Sequence, residues 1–98
     1  MTRFSEMIND SKPVLVDFYA DWCGPCRTLA PILVHVAHSV DGRAKIIKVN
    51  VDKNPLAADH YKVRSVPTLL IFKNGKELWR HSGVMSQNDI VEVIGKYY

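Results

Sequence analysis

Val14 to Ala20 (VLVDFYA) is an almost unbroken apolar run of strand length, the pattern of a strand buried on both faces of a sheet. Asp17 is its one charged residue and has no place in such a pattern. Further on the period changes from continuous to helical. Leu29, Ile32, Leu33, Val36, Ala37 and Val40 follow i, i+3, i+4, i+7, so residues 24–39 read as an amphipathic helix closed by Asp41-Gly42 and kinked at Pro31. Residues 44–51 are β-branched and apolar again, a second strand reached through a helical crossover and therefore expected parallel to the first.

Asn54-Pro55 signals a short helix to about Lys62, with Asn54 as cap and Pro55 in the first helical position. Residues 68–72 and 77–82 read as strands joined by Asn74-Gly75, a hairpin turn in which both residues tolerate positive φ. Ser86, with Asp89 three residues on as capping-box partner, opens a last helix whose apolar positions are Ile90, Val93, Ile94 and Tyr97. Phe4, Met7 and Ile8 suggest a short first helix, ended by Pro13. The order α-β-α-β-α-β-β-α predicts an α/β fold: a four-stranded mixed sheet with helices on both faces.

Composition narrows the class without naming a chemistry. Ninety-eight residues at 47% apolar and 23% charged suit a single domain over 1–98 with one core. No stretch nears the roughly 20 apolar residues of a membrane span, and residues 1–12 carry no apolar h-region, so a cytoplasmic protein without a membrane partner is expected. The net charge of +3 is spread singly, which argues against nucleic-acid binding; if it serves recognition, it favours acidic protein partners.

The chain's two cysteines stand in Trp22-Cys23-Gly24-Pro25-Cys26. As a structural staple, a disulfide closing so short a loop would contribute only about 2 kcal/mol. As half of a zinc site it would need His35 and His38, which lie about 13 and 18 Å along a continuous helix from Cys26, too far for one ion. A helical wheel also sets both histidines opposite the apolar stripe. The third reading is redox exchange. Cys26 falls on the buried stripe, whereas Cys23 precedes the first turn and is expected to be exposed at the positive helix end, which favours its thiolate. Gly24 is expected to permit a tight turn, and Pro25 is allowed where no N–H is missed.

These residues resemble the thioredoxin family. Trp22-Cys23-Gly24-Pro25-Cys26 matches its active-site motif, Val16-Asp17-Phe18 its central strand, Ser65-Val66-Pro67-Thr68 its proline loop and Phe72-Lys73-Asn74-Gly75 its hairpin. With Lys48-Val49-Asn50-Val51-Asp52 in register, the resemblance spans about residues 13–97. It implies a thiol-disulfide oxidoreductase that reduces disulfides in client proteins, with Cys23 as nucleophile and Cys26 as resolving thiol. Asp17 is implied to accept the Cys26 proton through water, and Lys48 to tune Asp17. Trp22, Gly24, Pro25, Val66, a cis Pro67 and Gly83 are implied to meet the substrate.

Electrons would come from NADPH through thioredoxin reductase, with no bound cofactor or metal, and the protein would act as a monomer. A disulfide oxidase or isomerase, and a thioredoxin-like binding module, are the alternatives. Three departures stand out. The chain has sixteen residues before Asp17, so the family's opening edge strand looks absent, leaving the order second-first-third-fourth and an open edge. Tyr19 stands where many relatives carry tryptophan, and Arg27 where lysine is common.

Overall fold

The computed structural model describes residues 2–98; Met1, the first residue of the expected domain, lies outside them. The elements are α1 (Thr2–Ile8), β1 (Val14–Tyr19), α2 (Gly24–Ser39), β2 (Lys45–Asn50), α3 (Pro55–His60), β3 (Thr68–Lys73), β4 (Lys76–Ser82) and α4 (Gln87–Gly95). One four-stranded sheet runs β2-β1-β3-β4 among the described residues, with β1 parallel to β2 and antiparallel to β3. The directions are those expected from the crossover and the hairpin, and the order is the one that the family resemblance implies.

Alternation along β1 divides the core in two. Leu15 joins Leu69 and Ile71 under α2 and α4, while Val14, Val16 and Phe18 pack with Leu70 and Phe72 against α1 and α3. Asp17 shares the parity of Leu15 and so points to the α2 side. α2 lays Leu29, Leu33 and Val36 on the first layer and runs unbroken across Pro31; Ala37, assigned to the buried stripe, is exposed. Phe4 of α1 sits among Phe18, Phe72 and Tyr61, with ring centroids 5.5 to 6.1 Å away.

Several local expectations change. α1 ends at Ile8, well before Pro13, and Met7 is exposed; Asn9 to Lys12 form a turn in which Lys12 N donates to Asp10 Oδ1. Asn54 is the N-cap residue of α3, as expected, but its side chain makes no capping bond; its Nδ2 donates to Asn50 O at 3.0 Å. Ser86 does cap α4, its Oγ accepting from Asp89 N at 3.1 Å. The hairpin forms with Asn74 and Gly75 both at positive φ, and their N–H groups reach back to the carbonyls of Asp10 and Ile8.

Arg80 of β4 locks the sheet to the end of α3. Its guanidinium forks onto Glu77 at 2.9 and 3.0 Å and reaches the Tyr61 and Lys62 carbonyls at 2.5 and 3.4 Å, just before the loop over residues 63–67. Charge-assisted bonds on a half-exposed side chain are worth about 1–2 kcal/mol together. Arg80→Ala is therefore expected to lower the urea midpoint by that stability loss and to increase hydrogen exchange at residues 61–66.

Candidate active site

β1 delivers the chain to the sheet's end, where Ala20, Asp21 and Trp22 turn it into α2. Cys23 is the residue before the helix, extended at φ −90° and ψ 112°, and its Sγ accepts the N–H of Cys26 at 3.1 Å. Cys23 and Cys26 are joined by a disulfide, with their Cα atoms 5.3 Å apart. The pair packs with Ala20 and is flanked by Tyr19, Val51 and Val66.

Burial does not separate the two sulfurs as the wheel predicted. Cys23 is 4% exposed and Cys26 5%. A wheel reports position around one helix, and Cys23 is covered from elsewhere: the Val66 carbonyl lies 3.7 Å from its Sγ. What distinguishes Cys23 is instead the backbone N–H directed at its sulfur, at the helix end where anionic charge is favoured. Gly24 also differs from expectation. Its φ is not positive and a Cβ there would meet open space; the turn is made before it, at Asp21 and Trp22.

The loop opposite comes from the start of β3. Val66-Pro67 is a cis peptide, Pro67 is buried, and the Pro67 carbonyl accepts the N–H of Gly83 at 2.9 Å. Gly83 has φ +100°, a conformation that side chains rarely adopt, so glycine is required for this link. Trp22 is 68% exposed rather than a core residue, and its Nε1 donates to Asp52 Oδ2 at 2.9 Å. Asn50 Oδ1 in turn accepts from Asp52 N at 2.9 Å, and in the sequence these two residues show only as part of the family's strand pattern. A polar pair 30 residues apart leaves no periodic signal.

Asp17 is 1% exposed, and neither carboxylate oxygen has a hydrogen-bond partner among the described residues. Desolvation pushes its pKa up to about 6, against a smaller opposing pull from the Lys48 charge. Lys48 is Asp17's register partner on β2, yet it is exposed and its Nζ sits 4.5 Å from the Tyr19 ring centroid. Tyr19, Ala20, Cys26, Arg27 and Lys48 border a cavity of about 210 Å³ on the side of β1 that Asp17 faces. Arg27 itself donates to the Asp21 carbonyl at 2.9 Å. His35 and His38 are exposed, and no three His, Cys, Asp or Glu side chains among the described residues are grouped to hold a metal.

A thioredoxin family model matches residues 1–96. The chain belongs to the thioredoxin family. It is 40% identical over 91 residues to a thioredoxin of Rickettsia conorii, covering 93% of this chain and 87% of that one. With a thioredoxin of Synechocystis it shares 42% over 95 residues, 96% and 89% of the two chains. A solved thioredoxin of Fasciola hepatica superposes with TM-score 0.90 at 35% identity, covering 99% of this chain and 93% of that one. A mutant thioredoxin of Halobacterium salinarum gives 0.90 at 36%, covering 99% and 84%.

Membership in the thioredoxin family, with the cysteine pair bonded at the head of α2, makes this chain a thiol-disulfide oxidoreductase acting as a protein-disulfide reductase. Its clients are proteins that carry disulfides. No helix among the described residues is long and apolar enough to cross a membrane.

Proposed function

We propose that Cys23 is the attacking sulfur and Cys26 the resolving one, with Asp17 as the proton acceptor that releases Cys26. The observation that carries this reading is the Cys26 N–H directed at Cys23 Sγ at the start of α2, which favours charge on Cys23 in the reduced form. The Cys23 thiolate attacks one sulfur of a client disulfide; a mixed disulfide forms and the other client sulfur leaves as a thiolate. Cys26 passes its proton to Asp17 and displaces the remaining client sulfur from Cys23. Two electrons have then moved to the client and the Cys23–Cys26 bond has formed.

Asp17 suits the transfer because burial lifts its pKa to about 6, close to the working range of a general base. Lys48 tempers that rise from its place over Tyr19. The client would lie in the groove of about 160 Å³ between Trp22 and residues 63–66, beside the open ground over Gly24 and Pro25. Val66 lies outside the sheet, so its peptide groups are available to an extended client segment, with Pro67 and Gly83 fixing the loop beneath.

The electron pair resides wholly in the two sulfurs, so the cycle calls for no bound cofactor. Regeneration by thioredoxin reductase at the expense of NADPH, in a reducing compartment such as the cytoplasm, completes it. NADPH consumption by a thioredoxin reductase supplied with insulin is expected to depend on added protein and to cease with Cys23→Ser. Consumption that the protein did not accelerate would reject this electron source.

A further inference from the structure

β2 has a neighbour on one side only among the described residues. Which peptide groups face the open side follows from two bonds. Lys45 N donates to Pro13 O at 3.0 Å and Val51 N to Tyr19 O at 2.9 Å, and in a parallel ladder alternate residues turn both groups toward the same neighbour. Residues 45, 47, 49 and 51 therefore serve β1, and Ile46 and Lys48 turn their N–H and C=O groups outward. Asn50, next in that series, has its carbonyl closed off by Asn54 N at 2.9 Å and Asn54 Nδ2 at 3.0 Å. The open ladder is thus short and defined.

The two sides of this edge differ chemically. On the α2 side, a hollow of about 360 Å³ lies between Ile46 and Val34, which is 57% exposed, and its walls are apolar apart from Lys48. On the other side, a hollow of about 450 Å³ is bordered by Arg3 and Lys53 together with Met7 and Leu56, with no acidic residue in its lining. An added strand would present alternate side chains to these two hollows. One set would meet apolar walls and the other would meet cations.

We propose that the open edge of β2 docks an extended segment of another protein in which apolar and acidic residues alternate, adding it as a fifth strand. Ile46 and Lys48 supply main-chain hydrogen bonds, the hollow between Ile46 and Val34 takes the apolar side chains, and Arg3 and Lys53 take the carboxylates. A second copy of this chain is a poor occupant. Lys45 is ion-paired with Asp10, but the outward-turned Lys48 is exposed, and pairing two such edges about it sets cation against cation, the arrangement by which edge lysines prevent self-pairing. The net charge of +3 favours the acidic partner as well.

The test is an amide NMR titration of the oxidised full chain with a blocked seven-residue peptide alternating valine and glutamate. Saturable shifts centred on the Ile46 and Lys48 amides are expected. A valine–lysine peptide, and the Arg3→Glu/Lys53→Glu double variant, are each expected to weaken binding at least tenfold. Ile46→Pro, which removes an outward N–H at an edge position where proline is tolerated, is expected to abolish binding while disulfide reduction persists. Absence of shifts at Ile46 and Lys48, or equal binding of both peptides, would overturn the proposal. Concentration-dependent dimerisation shifting the same amides without peptide would also overturn it, assigning the edge to a second copy.

Discussion

Cys23→Ser is expected to lower the rate of client disulfide reduction by about three orders of magnitude or more, the scale on which loss of a covalent nucleophile acts. Cys26→Ser should fail differently. Its Cys23 still receives the stabilising N–H at the head of α2, so one client equivalent reacts and the cycle then stalls. Multiple-turnover assays will find both variants inactive; a single-turnover assay of released client thiol separates them. Equal single-turnover amplitudes would show that the two sulfurs are chemically equivalent, against the asymmetry of their positions.

Asp17→Asn is expected to make the protein both more stable and slower. The folded-state pKa is raised, to about 6 against an ordinary value of 3.8, so between those values the folded protein binds more protons than the unfolded chain. Stability consequently falls as pH rises through this window, and above pH 6 the full cost, about 3 kcal/mol, is in force. Asparagine carries no charge to desolvate. Urea midpoints should therefore favour the variant by about 1–3 kcal/mol at pH 8, with the difference vanishing below about pH 4.

Loss of the acceptor should at the same time slow closure of the Cys23–Cys26 disulfide by about 10²-fold near neutral pH and flatten its pH profile around 6. Lys48→Met, by removing the charge that opposes desolvation, should move that inflection to higher pH. A gain in stability that did not change with pH would mean that Asp17 is not held ionised at a cost. An unchanged profile would remove it from the proton path.

The parts of the fold governed by local period were legible in the sequence. Residues 14–19, the α2 stripe and the Asn74-Gly75 turn carry their own signals, and with parallel crossover logic they yield the strand directions; the strand order follows from the family resemblance. The site was legible mainly through the family motif. Asp17 stood out from the residues alone as a charge in an apolar strand, but its lack of any partner needed coordinates.

Sequence and structure part where a distant segment decides the outcome. A helical wheel leaves Cys23 exposed because it does not include Val66, 43 residues away. Asn54 holds the cap position that the sequence assigns, but its side-chain amide donates to the Asn50 carbonyl, a partner placed by where β2 ends. The motif places Trp22 at the site, while its tether to Asp52 is tertiary and has no local signal. The resemblance implies that Lys48 tunes Asp17; the two are register partners, yet the four-carbon stem of Lys48 carries its ammonium to the Tyr19 face, a choice that strand pairing does not determine.

The division of labour between the two sulfurs is tested most directly by trapping. Cys26→Ser and Cys23→Ser proteins, incubated with the same disulfide-bonded clients, are resolved without reductant and the linked species mapped by mass spectrometry. The asymmetry at the head of α2 predicts mixed disulfides through Cys23 in the first variant and none in the second. Adducts of equal yield in both, or adducts through Cys26 alone, would contradict it.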